Sequence, residues 1–259
     1  MKNLDQIIDG LKPEILDTLQ KWAQIPSVKA EPQPDAPFGA EIRRMLDLAA
    51  EDCRRLGFDT QIFDGYALHA DLGEGDDLDA LGILAHLDVV PEGDGWQYPP
   101  YGAVIEGGCM YGRGTNDDKG PAIAALYAMK AVQEAGIPLR RKVRLILGCD
   151  EESGSECMHY YKKVATMPRC GFSPDATYPV INIEKGIMRV QLVSRLSPDG
   201  LQVVEFNTGL RPNVVPGKAI ARVQGGAEIA QKAEACAKQL QLPVSAKALA
   251  DGTVELTAI

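Results

Sequence analysis

The sequence predicts an α/β fold followed by a smaller, strand-rich unit, and three observations carry that reading. Short apolar runs, Leu81 to Ala85 and Val143 to Cys149, end abruptly in His86 and in Asp150-Glu151-Glu152. Runs of this length bounded by polar residues read as buried strands. Segments with apolar residues at helical spacing lie between them. After Lys185-Gly186 the texture changes to alternating apolar and polar residues, which places a boundary between 1–184 and 185–259.

Taken in order, Pro13 opens a helical pattern with Ile15, Leu19, Trp22 and Ile25 on one face, closed by Pro26. A second helix is expected from Ala40 to Leu56, ended by Gly57. Strands follow at Thr60 to Phe63 and Ala67 to Leu72, then the strand that ends in His86. Val104 to Tyr111 reads as a hairpin turning at Gly107-Gly108. The run Gly112 to Pro121 leads into a helix that Gly136 stops. The strand from Val143 to Cys149 precedes a helix from Ser155 to about Val164, and Val180 to Ile183 is expected as the last strand of this unit. Beyond Gly186, strands are expected over Met188 to Val193, Gln202 to Phe206, Ala219 to Val223 and Val254 to Ala258, with a helix from Ala227 to Leu240.

Composition limits the function. The 259 residues are 45% hydrophobic and 24% charged, an ordinary globular balance. A net charge of -9 argues against a nucleic-acid partner or an anionic membrane surface. Cys53, Cys109, Cys149, Cys157, Cys170 and Cys236 are scattered without a C-x-x-C pair, which reads as reduced thiols in a cytoplasmic protein. No apolar run approaches the roughly 18 residues of a membrane span, and the acidic N-terminus lacks a signal-peptide core.

Acids and one His gather where the apolar strands end: His86 with Asp88, Asp117 with Asp118, Asp150-Glu151-Glu152, and Asp175. Open α/β sheets bind ligands at that edge. Residues two apart on an extended chain point the same way, so Asp88 can hold one nitrogen of His86 and leave the other for a metal. Alone, His86 would be a satisfied His at a strand end. Four clusters in series instead suit a pair of divalent cations bridged by a carboxylate, with an unligated Glu moving protons.

The strings His86-Leu87-Asp88-Val89-Val90-Pro91, Gly112 to Pro121, Asp150-Glu151-Glu152-Ser153-Gly154 and Phe172-Ser173-Pro174-Asp175 occur in that order. In them the chain resembles the M20 family of metallopeptidases, in its PepV-like and Sapep-like dipeptidase branch. The resemblance implies a three-layer α/β/α zinc-peptidase-like catalytic domain with a mixed sheet over 1–184, and a partial α+β lid over 185–259. It implies two divalent ions, zinc with manganese or cobalt as alternatives. His86, Asp117 and Asp175 match ligands of the first ion, Asp117 bridges, and Glu152 serves the second. Glu151 matches the general base and Asp88 the residue that orients His86. Arg211 and Asn213, in Arg211-Pro212-Asn213-Val214-Val215-Pro216, resemble a lid segment that contacts substrate.

What the resemblance implies is hydrolysis of unblocked dipeptides in the cytoplasm, with no nucleic-acid or membrane partner and an oligomeric state left open. N-acyl amino acid deacylation or desuccinylation, and a non-catalytic metal-binding fragment, are the alternatives. Family members are longer and carry a further lid His, an Arg and a last His ligand beyond the matched part. The chain is therefore expected to be an N-terminal portion, holding at most one divalent ion tightly and inactive alone. Asp118 and Asp150 are expected at helix ends or behind the ligands, and Lys119 is expected to pair with nearby acids. Arg113 is expected to support its loop, His69 to be structural and His159 to lie on the surface.

Overall fold

The computed structural model describes residues 3–183, 185–186, 188, 190, 201–209 and 216–259. The chain divides into two compact units, Met1–Glu184 and Lys185–Ile259.

The first unit is built on a five-stranded mixed sheet. Its strands are β1 (Asp59–Phe63), β2 (Ala67–Leu72), β3 (Leu81–His86), β6 (Val143–Gly148) and β7 (Cys170–Phe172), in the order β1-β2-β6-β3-β7. The pairs β1/β2 and β2/β6 are antiparallel, and β3 runs parallel to both β6 and β7. The hairpin β4 (Val104–Glu106) and β5 (Cys109–Tyr111) stands apart and turns through Gly107 and Gly108, both at positive φ.

Helices cover both faces of the sheet. On one lie α1 (Leu4–Ala23), α2 (Ala40–Arg55) and α3 (Lys119–Glu134). Helix α2 turns Ile42, Met45, Leu46, Ala49 and Cys53 inward at helical spacing. They meet Leu68, Ala70 and Leu72 of β2, Ile83 and Ala85 of β3, and Leu145 and Leu147 of β6. Each large apolar side chain buried here contributes about 1.5–3 kcal/mol. The opposite parity, Ala67 and Ile146, faces α4 (Glu156–Val164) through Tyr161. His69 shares a 2.7 Å hydrogen bond with the Tyr161 hydroxyl, so it is a core residue as expected. Helices on both faces of a mixed sheet make the expected three-layer α/β/α architecture. Cys53, Cys149 and Cys157 are buried, and the other three thiols are exposed.

Several boundaries differ from the sequence reading. Helix α1 starts nine residues earlier, capped by Asn3, whose Oδ1 accepts the Asp5 amide at 3.0 Å, and Pro13 lies inside it. The final strand is Cys170–Phe172, with Leu81 opposite Cys170, and 180–183 form no strand. Val180 and Ile183 are instead largely exposed. The β7 strand is only three residues long and contains Gly171, so it carries no periodic signal. A Cβ on Gly171 would run into the Gly82 carbonyl of β3.

The second unit is an antiparallel sheet of β8 (Val203–Thr208), β9 (Ala219–Gln224), β10 (Val244–Ala248) and β11 (Thr253–Ala258), in the order β10-β11-β9-β8. Helix α5 (Ala227–Gln239) packs on it through Ala230, which meets Val223 and Val254. The strand expected over 188–193 falls largely outside the described residues, as do Arg211 and Asn213.

Candidate metal centre

The register of the parallel strands builds the site. His86 stands opposite Gly148, so the segments leaving β3 and β6 emerge side by side at one sheet edge. Asp88 follows β3, and Asp150 through Glu152 follow β6, with Glu151–Ser153 coiled into a short 3₁₀ turn. Asp117 and Asp118 immediately precede α3, and the peptide between them is cis. Asp175 lies just beyond β7.

His86 is the centre of the cluster and is buried. Its Nδ1 donates to the Asp88 carbonyl oxygen at 2.9 Å. A carbonyl only accepts, so Nδ1 carries the proton. The other nitrogen, Nε2, faces Asp117 Oδ1 at 3.1 Å and Asp175 Oδ2 at 3.5 Å. A neutral ring would aim a lone pair at two carboxylates, so the arrangement calls for a cation there. Without an ion, that cation is a proton. Burial pulls the His86 pKa down, but the hydrogen bonds to Asp117 and Asp88 and the surrounding acids outweigh it and raise it to about 11.

The Asp88 carboxylate lies 3.5 Å from Nδ1 and has closer partners. Its two oxygens each accept an amide at 3.1 Å, one from Glu151 and the other from Glu152. Asp88 thus touches the ring mainly through its carbonyl and holds the Glu151–Glu152 turn with its side chain. Burial pushes the pKa values of Glu151, Glu152 and Asp175 above the ordinary carboxylate range, and neighbouring acids add to the shift. The hydrogen bond to His86 holds Asp117 below it.

Two sets of residues bring one ligand atom each within 4.8 Å of one another: His86 with Asp117 and Glu152, and His86 with Asp118 and Asp175. Asp118 therefore enters a ligand group, although the sequence reading put it behind the ligands. Its Oδ2 accepts the His86 amide at 3.0 Å, and its buried Oδ1 has no hydrogen-bond partner among the described residues. Burial first, then Asp175 and Asp117, raise the Asp118 pKa to about 7. An orphaned buried carboxylate oxygen, an imidazole nitrogen and three further carboxylates suit divalent metals of the zinc, cobalt and manganese group. Beside them, a cavity of about 180 Å³ is lined by Leu84, His86, Glu151, Cys157, Met158 and Asp175.

The neighbours of the cluster have other tasks. Asp150 is buried and caps α4, its Oδ2 accepting the Glu156 amide at 3.0 Å. Lys119 does not pair with the acids. It is buried, and its Nζ donates to the carbonyls of Trp22 at 2.9 Å and Ile25 at 2.8 Å, at the end of α1. Burial lowers its pKa to about 7. Arg113 supports its loop by donating to the Glu92 carbonyl at 3.1 Å and stacking on Trp96. His159 is exposed on α4.

Known proteins resemble the chain in sequence and in structure. The Bacillus subtilis (strain 168) protein named "Putative dipeptidase YtjP" is 42% identical over 220 residues, which are 83% of this chain and 47% of that protein. The chain thus spans about half the length of the curated relatives it matches. Among solved structures, human carnosine dipeptidase 1 aligns with a TM-score of 0.54 and 28% identity, over 63% of this chain and 38% of its own. The M20 family metallo-carboxypeptidase Sso-CP2 of Sulfolobus solfataricus aligns with a TM-score of 0.51 and 25% identity, over 63% of this chain and 37% of its own. The family model described as peptidase family M20/M25/M40 matches residues 82–254, from the strand that delivers His86 to the last strand of the second unit. The chain belongs to that peptidase family.

Proposed function

We propose that this chain carries the metal centre of a dipeptidase that hydrolyses the peptide bond of unblocked dipeptides. The observation that carries the reading is the Nε2 of His86, aimed between Asp117 and Asp175 with its tautomer fixed from behind by the Asp88 carbonyl. The dipeptidase name of the relative and the likeness to human carnosine dipeptidase 1 support the substrate class.

In this reading His86 through Nε2, with Asp117 and Asp175, would hold one divalent ion, and Asp117 with Glu152 would contribute to a second; Asp118 is close enough to take part. Zinc suits the site, with manganese and cobalt as alternatives. Bound there, the ions supply Lewis acidity and lower the pKa of water. Glu151 takes a proton from the attacking water and delivers it to the leaving amine. Its carboxylate, raised above the usual range by desolvation and neighbouring acids, is matched to that transfer. Asp88 keeps Glu151 in place by accepting the hydrogen bond of the Glu151 amide N–H. Arg211 and Asn213 are proposed to contact the substrate. All six thiols are free, which supports a cytoplasmic setting. Among the described residues no helix is long and apolar enough to cross a membrane.

The test, made on a form of the protein that spans the length of its relatives, is turnover of a panel of free dipeptides beside N-acyl and N-succinyl amino acids, with zinc or manganese added. Dipeptide hydrolysis is expected. Exclusive turnover of the acylated compounds would replace the reading with deacylation. Glu151→Gln should keep its metal and lose about 10²–10⁴-fold in rate. Loss of metal together with activity would make Glu151 a ligand.

A further inference from the structure

The segment Ile25–Lys29 contains no candidate ligand, yet it is bonded to three of the four loops that do. Lys119, directly after Asp117-Asp118, donates to the Ile25 carbonyl at 2.8 Å. Ser27 Oγ donates to the Leu87 carbonyl at 2.7 Å, and the Val89 amide donates to the Ser27 carbonyl at 3.0 Å. These two bonds bracket Asp88. Lys29 Nζ donates to Asp150 Oδ1 at 2.7 Å, next to Glu151 and Glu152. Ser27 is fully buried, and so is the Asp150 side chain.

We propose that this segment is a strap that sets the spacing of the metal-binding loops, with Ser27 and Lys29 as positioning residues. The inference rests on the metal reading above. Its physical basis is the number of independent ties converging on one short stretch. The carboxylates of the cluster repel one another, so loops that carry them need fixing from behind. The strap does this with bonds that point away from the ions. Without Lys29, Asp150 keeps only the Glu156 amide and becomes a buried carboxylate short of a partner. It then has to shift toward water, and the Glu151–Glu152 turn attached to it moves as well. Without the Ser27 hydroxyl, the Leu87 carbonyl loses its donor, and the path between His86 and Asp88 loosens.

The experiment measures zinc affinity of the full chain by competition with a chromophoric chelator, alongside melting of the ion-free protein. Loss of groups that orient ligands typically weakens metal binding by about 10–100-fold, and about tenfold is expected for Ser27→Ala and Lys29→Met. Lys29→Arg, which keeps the charge and the donor, should recover most of the affinity. Thr18→Val is the control. It removes the buried 2.8 Å hydrogen bond between Thr18 of α1 and Tyr127 of α3, and should lower melting without changing zinc affinity. Wild-type affinity in both Ser27→Ala and Lys29→Met overturns the strap. So does equal weakening in Thr18→Val, which would make the effect general destabilisation, or failure of Lys29→Arg to recover. If Ser27→Ala does not fold, the Lys29 pair decides, because that side chain is partly exposed. A wild-type chain that binds no zinc overturns the metal reading itself, and the strap with it.

Discussion

Because the ion-free His86 ring holds its proton up to about pH 11, while a divalent ion needs the neutral ring, metal and proton compete at Nε2. Zinc binding at pH 7 should therefore release about one proton. Calorimetry in two buffers of different ionisation enthalpy measures it, and no release would place zinc elsewhere. The same shift fixes a pH dependence. A His whose folded pKa is raised contributes stability that is complete below its unfolded value, about 6.5, and is lost as the pH rises toward 11. The ion-free chain should weaken across that window, and the zinc-loaded chain should not weaken through His86. At this scale, His86, Asp117, Glu151, Glu152 and Asp175 could be picked out because each follows or precedes an apolar element. Ser27 and Lys29 could not, since their partners lie 60 and 121 residues away and no local pattern announces them. Lys119 was misread for the same reason. Its acidic neighbours in sequence are obvious, and its carbonyl partners at and just past the end of α1 are not.

The contact between α3 and the loop before it depends on a missing side chain. A Cβ on Gly120 would run into the Thr115 carbonyl. Gly120→Ala should force the first turn of α3 away from Gly112–Thr115 and displace Asp117 and Asp118, which join them. Overpacking of this kind costs about 1–3 kcal/mol. Zinc affinity should fall along with the melting temperature, and a fall in melting alone would show that the aspartates follow the helix intact. The strands β2, β3 and β6 were legible as elements because most of their residues, toward both cores, are apolar. Strand β7 was not, because pairing with β3 rather than composition makes it a strand. The sequence reading also passed over β10, where Val244, Ala246 and Ala248 alternate with polar residues but two of the three are alanine, a weak strand former.

Each unit of the molecule has a core of its own, Met1–Glu184 around Trp22, Phe38 and the central strands, and Lys185–Ile259 around Val223 and Val254. Among the described residues, every candidate ligand belongs to the first unit. Zinc at 100 times its dissociation constant should stabilise that unit by about 2.7 kcal/mol. Scanning calorimetry with and without zinc should show the gain in the transition assigned to the first unit. Equal gain in a transition assigned to the second would place zinc binding there too. The texture changes after Gly186 because a half-exposed antiparallel sheet alternates, while the buried strands of the first sheet do not.

The division of the six cysteines into three buried and three exposed makes the chain its own kinetic reporter. Cys109, Cys170 and Cys236 should react with an alkylating reagent at once. Burial raises Cys53 to about 12, Cys157 to about 11 and Cys149 well above the ordinary thiol range, so few thiolates form and none meets solvent. Their labelling has to wait for the protein to open. Cys149 stands two residues before Glu151, so its labelling rate times the opening of the loop that carries the proposed base. An ion that ties this loop to His86 should lengthen that time, and mass spectrometry of the Cys149 peptide would read it residue by residue.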